Sequence, residues 1–492
     1  MQYLLGIDVG TTGTKTLLFR QDGKLMGQAY CPYATDNPGG GKSEQNPMDW
    51  WNAIVQTVRH VLEEAQTAKD VAAISLSTQG GTMVPVDSQF MPVRPAIVWN
   101  DTRCTQERQL FIQEFGEEVI YKKTGWALAP GQNLLQIRWM KENEPELFQK
   151  TAYFLSVPDY ISYKLTGIPA VDPSNMGINQ LGDITSCDYD PELLAFAGID
   201  RGQLPKIQPS GTPIGKLTAC AASALGLSTE VLVVSGAHDQ YAVALGAGAC
   251  ENDDILIGTG TCWVVTRISD MPNFASGLSQ SIAAIPGKWG SLRSLPSGGV
   301  CLEWWRKNIA VDSSGALIPF DQINATVSGR AAAEDGLFFY PFGGYAGTGK
   351  TLQKGTLIGL DIAHDRYNIA RAIMEGVAFQ ILWMLEEFQA EPESLRLTGG
   401  ATKSRVWCQI VADISGIPVC IPETADLACV GAAILAGVGC GLYENAKQGY
   451  NLMSIPERTL YPDPEKSSMY QKNTELYRSY AQQLWSAAKL HD

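Results

Sequence analysis

Histidine is scarce in this chain, and paired cysteine is absent. Only 4 histidines occur in 492 residues, and the 11 cysteines, spread from Cys31 to Cys440, never form a Cys-x-x-Cys pair. That excludes a zinc knuckle and a disulfide framework, and reads as the reduced thiols of a cytoplasmic protein. Basic residues are outnumbered, 37 Lys and Arg against 51 Asp and Glu, for a net charge of −14. Such a balance argues against nucleic acid or an anionic membrane as partner, but leaves local sites for small anions open. No apolar run approaches the roughly 20 residues of a membrane helix. No basic segment opens the chain and Asp8 follows early, so no targeting signal is expected.

What is present is a large globular composition, 45% hydrophobic and 18% charged over 492 residues. Single cores stop growing at about 250–300 residues, so more than one domain is expected. The organising stretch is 4–19, two leucine-rich runs around Asp8-Val-Gly10-Thr11-Thr12-Gly13-Thr14. Small residues let a loop approach an anion closely, and the threonines add hydroxyl donors. A carboxylate among such donors makes sense if a divalent cation accompanies a phosphate, since hard cations take oxygen ligands. A glycine-rich hairpin with a solvent-facing aspartate reads equally well from this stretch alone. Residues 254–266 repeat the pattern, with Gly258-Thr259-Gly260-Thr261 between two apolar runs. Two related loops suggest a duplicated fold clamping one polyphosphate.

In chain order, strands are expected over 3–7, 15–19 and 25–30, the second turn marked by Asp22-Gly23. Asn46-Pro47 supplies a cap and a first-turn proline for an amphipathic helix carrying Trp51, Ile54, Val58 and Leu62. Residues 71–76 form a buried strand. Three antiparallel strands, a helix and a strand open a ribonuclease-H-like fold, whereas a dinucleotide-binding unit opens strand–helix–strand. Gln79-Gly80-Gly81 leaves that strand end, where ligand loops of α/β sheets lie. Trp99-Asn100-Asp101-Thr102-Arg103 offers an aromatic, an amide and a carboxylate–guanidinium pair, the pair reading more readily as structural. Asp172 reads as a turn residue. Asp239, followed by Gln240, emerges beyond the apolar run 231–234 and just before a small-residue helix. It is either a helix cap or a catalytic carboxylate.

Residues 344–351 satisfy the Walker A pattern through Lys350 and Thr351. A true phosphate loop of that kind needs a helix directly after it, and Gly355 and Gly359 interrupt any helical period. The match is therefore rejected, and the next helix is expected from about residue 366. Residues 395–398 read as a strand ending in Gly399-Gly400-Ala401, a close-approach site suited to a flat ligand such as adenine.

Taken together these residues resemble the FGGY carbohydrate kinases of the actin-like ATPase superfamily, over nearly the whole chain. The first and second phosphate loops, the Gly399-Gly400-Ala401 motif and the carboxy-terminal signature through Gly355, Gly359, Leu360 and Asn368–Glu375 carry the likeness. The signature near 131–143 is met in part, with Asn133 and Gln136 at departing positions, which reads as a departure in a packing region. Glu44–Trp51 and Trp99–Arg103 look most like xylulose kinases. Where xylulose kinases carry a histidine and glycerol kinases an Arg-Glu pair, this chain has Gly80-Gly81. That widens the pocket or hands recognition to backbone groups.

The resemblance implies two ribonuclease-H-like α/β domains, 1–245 on the sugar side and 246–492 on the nucleotide side, with a cleft between them. It implies ATP and Mg²⁺, and a sugar as the other partner. In it Asp239 is the catalytic base and Asp8 the Mg²⁺ residue. Thr11, Thr12, Gly13, Gly258, Thr259, Gly260, Thr261, Gly399, Gly400 and Ala401 bind nucleotide. Gln79, Gly80, Gly81, Trp99, Asp239 and Gln240 bind sugar. The expected reaction is phosphorylation of a neutral ketopentose such as xylulose. Pentitols, erythritol or glycerol are the alternatives, and a nucleotide-switched ATPase of the actin or Hsp70 type is the reading from another class. The oligomeric state stays open, a homodimer included.

Overall fold

Leu4, Leu5, Ile7 and Val9 are all inaccessible to solvent, because strand Tyr3–Val9 lies in the middle of a sheet covered on both faces. The computed structural model describes every residue except 67–69, 275–277, 312–314, 347–349, 425 and 489–492. The first sheet runs Leu25–Pro32, Gly13–Arg20, Tyr3–Val9, Val71–Thr78, Leu232–His238, Pro213–Lys216. Its first three strands are an antiparallel meander, and the next two join in parallel. The connection to Val71–Thr78 is helix Pro47–Ala65, whose Asn46 side chain accepts from the Met48 N–H as the sequence predicts.

The second sheet repeats this plan: Trp289–Leu295, Trp263–Ser269, Ile255–Thr259, Leu395–Gly399, Val419–Pro422, with one further strand at each edge. Again the first three pair antiparallel and the next two in parallel. The expected duplicated, ribonuclease-H-like α/β architecture is therefore what the chain adopts. Both glycine/threonine loops sit at the first hairpin of their sheets.

The halves are interlocked at one helix pair. Helix Leu427–Gly439, from the second half, lies on the first sheet; a Cβ at Gly6 would come within 1.9 Å of the Cys429 carbonyl oxygen. Helix Asp239–Gly246, from the first half, packs against it so closely that a Cβ at Gly431 would stand 2.0 Å from the Ala242 carbonyl oxygen. Tyr241, on the same helix, reaches the second sheet at Gly290. Residues of both halves thus share one apolar core around this pair. Only glycine permits backbones to approach this far.

The false Walker A sequence folds as predicted against that reading. Residues 347–349 lie outside the described residues, but Gly344–Tyr345 and Thr351–Leu352 pair antiparallel, and the next helix is Arg366–Glu387. The carboxy-terminal helix Pro464–Ala488 packs on the second half, where Tyr470 and Tyr477 are buried and hydrogen-bond Arg371 and Gln380.

Candidate active site

Asp8 stands near the end of the central strand of the first sheet, buried, with Oδ1 accepting from Ser77 Oγ at 2.7 Å. Ser77 is its parallel neighbour on the next strand and Lys15 its antiparallel one. Asp426 caps helix Leu427–Gly439 and pairs with Lys15 Nζ at 2.5 Å, bringing a second buried carboxylate to the same place. Burial foremost, then the charge of Asp426, push the Asp8 carboxyl up from 3.8 to about 7. These two carboxylates, Asp239 and a single lysine line a cavity of about 280 Å³.

That donor set fits a divalent cation brought with a polyphosphate. Two buried carboxylates share one lysine, and hard oxygen ligands are what Mg²⁺ takes. No group of three or more His, Cys, Asp or Glu among the described residues could enclose a metal by itself. Of the residues lining this cavity, Asp8 and Asp426 are the carboxylates that would face such an ion.

The residues expected to bind nucleotide divide into exposed ones and buried ones that brace the loops. Thr12, Gly260 and Thr261 are exposed at the two loop tips. Gly13 instead lies under Tyr30, whose ring a Cβ there would meet at 2.5 Å. Thr259 is buried; its hydroxyl donates to the Thr398 carbonyl (2.6 Å) and accepts from the Ala401 N–H (3.2 Å). It fastens the second loop to Gly399-Gly400-Ala401 rather than offering its hydroxyl to a ligand. Gly258 continues the same strand, and Gly399 needs its φ of +97° because a Cβ would stand 2.9 Å from the Thr259 carbonyl oxygen. Gly400 is exposed beside them. Sequence reading missed Gly298 and Gly299, whose N–H groups donate to Thr261 and Gly260 carbonyls and seat helix Gly299–Asn308 on the second loop.

A second cavity, of about 590 Å³, opens on the other side of Asp239. Gln79, Gly80, Trp99, Trp126, His238 and Gln240 line it, and none of its described lining residues is Lys or Arg. Gln79 has its amide committed: Oε1 accepts from Thr11 Oγ1 at 3.2 Å and Nε2 donates to Gln45 Oε1 at 3.1 Å. Trp99 Nε1 donates to the same Thr11 hydroxyl at 3.0 Å. Thr11 thus couples the phosphate loop to the wall of this cavity. Gly81 departs from expectation. It sits behind the wall at φ +70°, where a Cβ would meet Gln132 Oε1 at 2.7 Å and Trp99 Cβ at 3.2 Å.

Two further expectations change. Asp172 is not a surface turn but a fully buried helix cap, accepting from the Asn175 N–H and Nδ2, with burial raising its carboxyl above the usual range. Gln136, at the position where the resemblance departs, donates from Nε2 to the carbonyls of Gly131 (2.8 Å), Gly81 (3.3 Å) and Val98 (3.4 Å). It binds three segments of the cavity wall, so its part is more than packing. The Asp101–Arg103 pair is structural as expected: both are buried, Arg103 reaching Glu44 at 2.8 Å and stacking 4.9 Å above the Trp139 ring.

Asp239 and Gln240 line both cavities. They come from the first turn of helix Asp239–Gly246, directly after strand Leu232–His238. The Asp239 carboxylate is therefore common to the two cavities.

Known proteins match along the whole arrangement. Residues 3–246 match the N-terminal domain of the FGGY family of carbohydrate kinases and residues 254–440 its C-terminal domain. The chain is 29% identical over 487 residues to xylulose kinase of Bacillus subtilis, covering 97% of this chain and 96% of that one. It is also 29% identical to the L-xylulose/3-keto-L-gulonate kinase of Escherichia coli, with 97% and 96% covered. The crystal structure of xylulose kinase from Rhodospirillum rubrum superposes with a TM-score of 0.89 at 26% identity, covering 98% of this chain and 99% of that one. With paired glycine/threonine loops on duplicated sheets and a carboxylate between two cavities, the chain belongs to the FGGY family of carbohydrate kinases.

Proposed function

We propose that this sugar kinase phosphorylates a hydroxyl of a neutral ketopentose, xylulose or another pentulose, with ATP as donor and Mg²⁺ as the accompanying ion. The observation that carries the reading is the position of Asp239, shared by a cavity sized for a small sugar and a smaller one lined by Asp8, Lys15 and Asp426. In the reaction the sugar oxygen bonds to the γ-phosphorus, the bond from that phosphorus to the β-phosphate bridge breaks, and the hydroxyl proton passes to the Asp239 carboxylate. Mg²⁺ bound with the nucleotide supplies neutralisation of charge on the transferring group. Asp8 is the residue that would hold the ion, through water. The exposed hydroxyls of Thr12 and Thr261 offer donors to phosphate oxygens, and Gly400 with Ala401 borders the adenosine. Closing the lobes about the interlocked helix pair would exclude water, which limits hydrolysis without transfer.

Neutrality of the sugar follows from the lining. With no Lys or Arg among the described residues lining the larger cavity and the Asp239 carboxylate on its wall, an acidic sugar would bring like charge beside Asp239 without a cation to offset it. Trp99 and Trp126 give apolar faces on which the C–H side of a sugar can lie. Glu44–Trp51 and Trp99–Arg103 further favour the pentulose over pentitols, erythritol or glycerol. The test is a competitive screen of these and of a sugar acid for ADP release, run on wild type and Asp239→Asn. A pentulose is expected to give the highest kcat/KM. Asp239→Asn is expected to lose about 10²–10⁴-fold in kcat while keeping nucleotide affinity. An acidic sugar ranking first, or near-normal turnover by Asp239→Asn, would refute the corresponding half. ADP release that no sugar stimulates would point to a nucleotide-switched ATPase.

A further inference from the structure

His238, one residue before the candidate base, is almost completely buried, yet its ring borders the larger cavity. Its Nε2 lies 3.2 Å from Asp239 Oδ1, which accepts no well-aligned hydrogen bond from any described residue. The contact is longer and less aligned than a good hydrogen bond, as contacts at open active sites often are before closure. Everything else about the ring is fixed. Its backbone N–H donates to Ser174 Oγ at 2.9 Å, and Ser174 is held by the buried Asp172. The imidazole stands edge-on to Trp126, centroids 6.2 Å apart, and tilted against Tyr241 at 5.9 Å. Nδ1 is buried without a hydrogen-bond partner.

The space for this ring exists because residue 80 is glycine. A Cβ at Gly80 would meet His238 Cδ2 at 2.8 Å and Nε2 at 3.0 Å, and Ile178 Cγ2 at 2.7 Å. Gly80 has no positive φ, so the absent side chain answers to the neighbouring Ile178 and imidazole and not to a turn.

We infer that His238 is a positioning residue for the phosphoryl transfer, with Gly80 as the position that admits it; the inference rests on the sugar-kinase reading above. A neutral imidazole has one N–H and one bare nitrogen. With the hydrogen on Nε2, facing the carboxylate, His238 ties Oδ1 of Asp239 and stops the carboxylate from rotating. Oδ2 is then the oxygen presented to the sugar hydroxyl. A base allowed to rotate is misplaced by about an ångström for much of the time, and misplacement of that size costs on the order of 10²-fold in rate.

Three variants test this, with kcat, sugar KM and melting temperature measured on the pentulose that wild type prefers. His238→Leu keeps bulk and removes the donor. It is expected to lower kcat about 10²-fold with sugar KM changed only a few-fold. His238→Gln can place an amide N–H near the Nε2 position and is expected to recover kcat to within about tenfold of wild type. Gly80→Ala leaves His238 in the sequence but displaces its ring, so it should lower kcat as His238→Leu does; it also serves if the leucine variant fails to fold. Equal activities of the Leu and Gln variants, or His238→Leu within threefold of wild type, would overturn the inference. Asp239→Asn inactive beside a normal His238→Leu would overturn it alone and leave the kinase reading intact. A wild-type protein that phosphorylates no neutral sugar would overturn both.

Discussion

Asp8→Asn should make the free protein more stable at neutral and alkaline pH while removing its response to Mg²⁺. The Asp8 carboxyl is raised from 3.8 to about 7, burial being the main cause. Below pH 4 it is protonated in the folded and unfolded chain alike and contributes no difference. Between pH 4 and about 7 the unfolded chain releases the proton and the folded chain keeps it, so stability falls as pH rises through this window. Above 7 the penalty is complete, and about 3 units correspond to about 4 kcal/mol as an upper bound. Asparagine is isosteric, never ionises and can still accept from Ser77 Oγ. Its advantage should therefore be absent near pH 4, grow to pH 7 and then level off. For a lobe of this size, each kcal/mol shifts Tm by roughly 2–4 °C. The assay is thermal unfolding of both proteins from pH 4 to 8.5 in a chelator, repeated with Mg²⁺ and nucleotide. Mg²⁺ with nucleotide should raise the Tm of wild type more than that of Asp8→Asn. A variant less stable than wild type at pH 8, or a gap that does not vary with pH, would refute the reasoning.

Lys350→Ala should leave nucleotide affinity within a few-fold, because Lys350 sits over the Trp485 ring at 4.7 Å on the carboxy-terminal helix. Loss of 10³-fold in binding would restore the Walker A reading. Gly431→Ala should cost about 1–3 kcal/mol and lower kcat, since its Cβ would press into the Ala242 carbonyl and part the two helices between the lobes. Gly202→Ala, in open space, is the neutral comparison. Equal Tm values for the two would show that the helices do not need this close contact.

The sequence by itself determined the architecture and the family. Alternating apolar runs, the Asp22-Gly23 turn and the Asn46-Pro47 cap are local signals, so the meander and helix Pro47–Ala65 were legible without any tertiary contact. The two loops repeat in sequence because they repeat in the fold, and the glycines at 355 and 359 told against a phosphate-loop helix for the same local reason. Tertiary structure decided which of the flagged residues border a cavity and which are braces behind it. Thr259 and Thr261 are alike in sequence, but only packing against Thr398 and Ala401 turns the first into a brace. Gly80 and Gly81 are adjacent in the chain, yet one borders the larger cavity and the other lies behind its wall. Asp172 looked like a turn because burial cannot be read from a proline and two small polar neighbours. The pairing of Asp8 with Asp426 and of His238 with Gly80 joins segments about 420 and 160 residues apart. No local pattern encodes such distances; they are set by the sheets and by the helix pair at which each half of the chain is packed against the other.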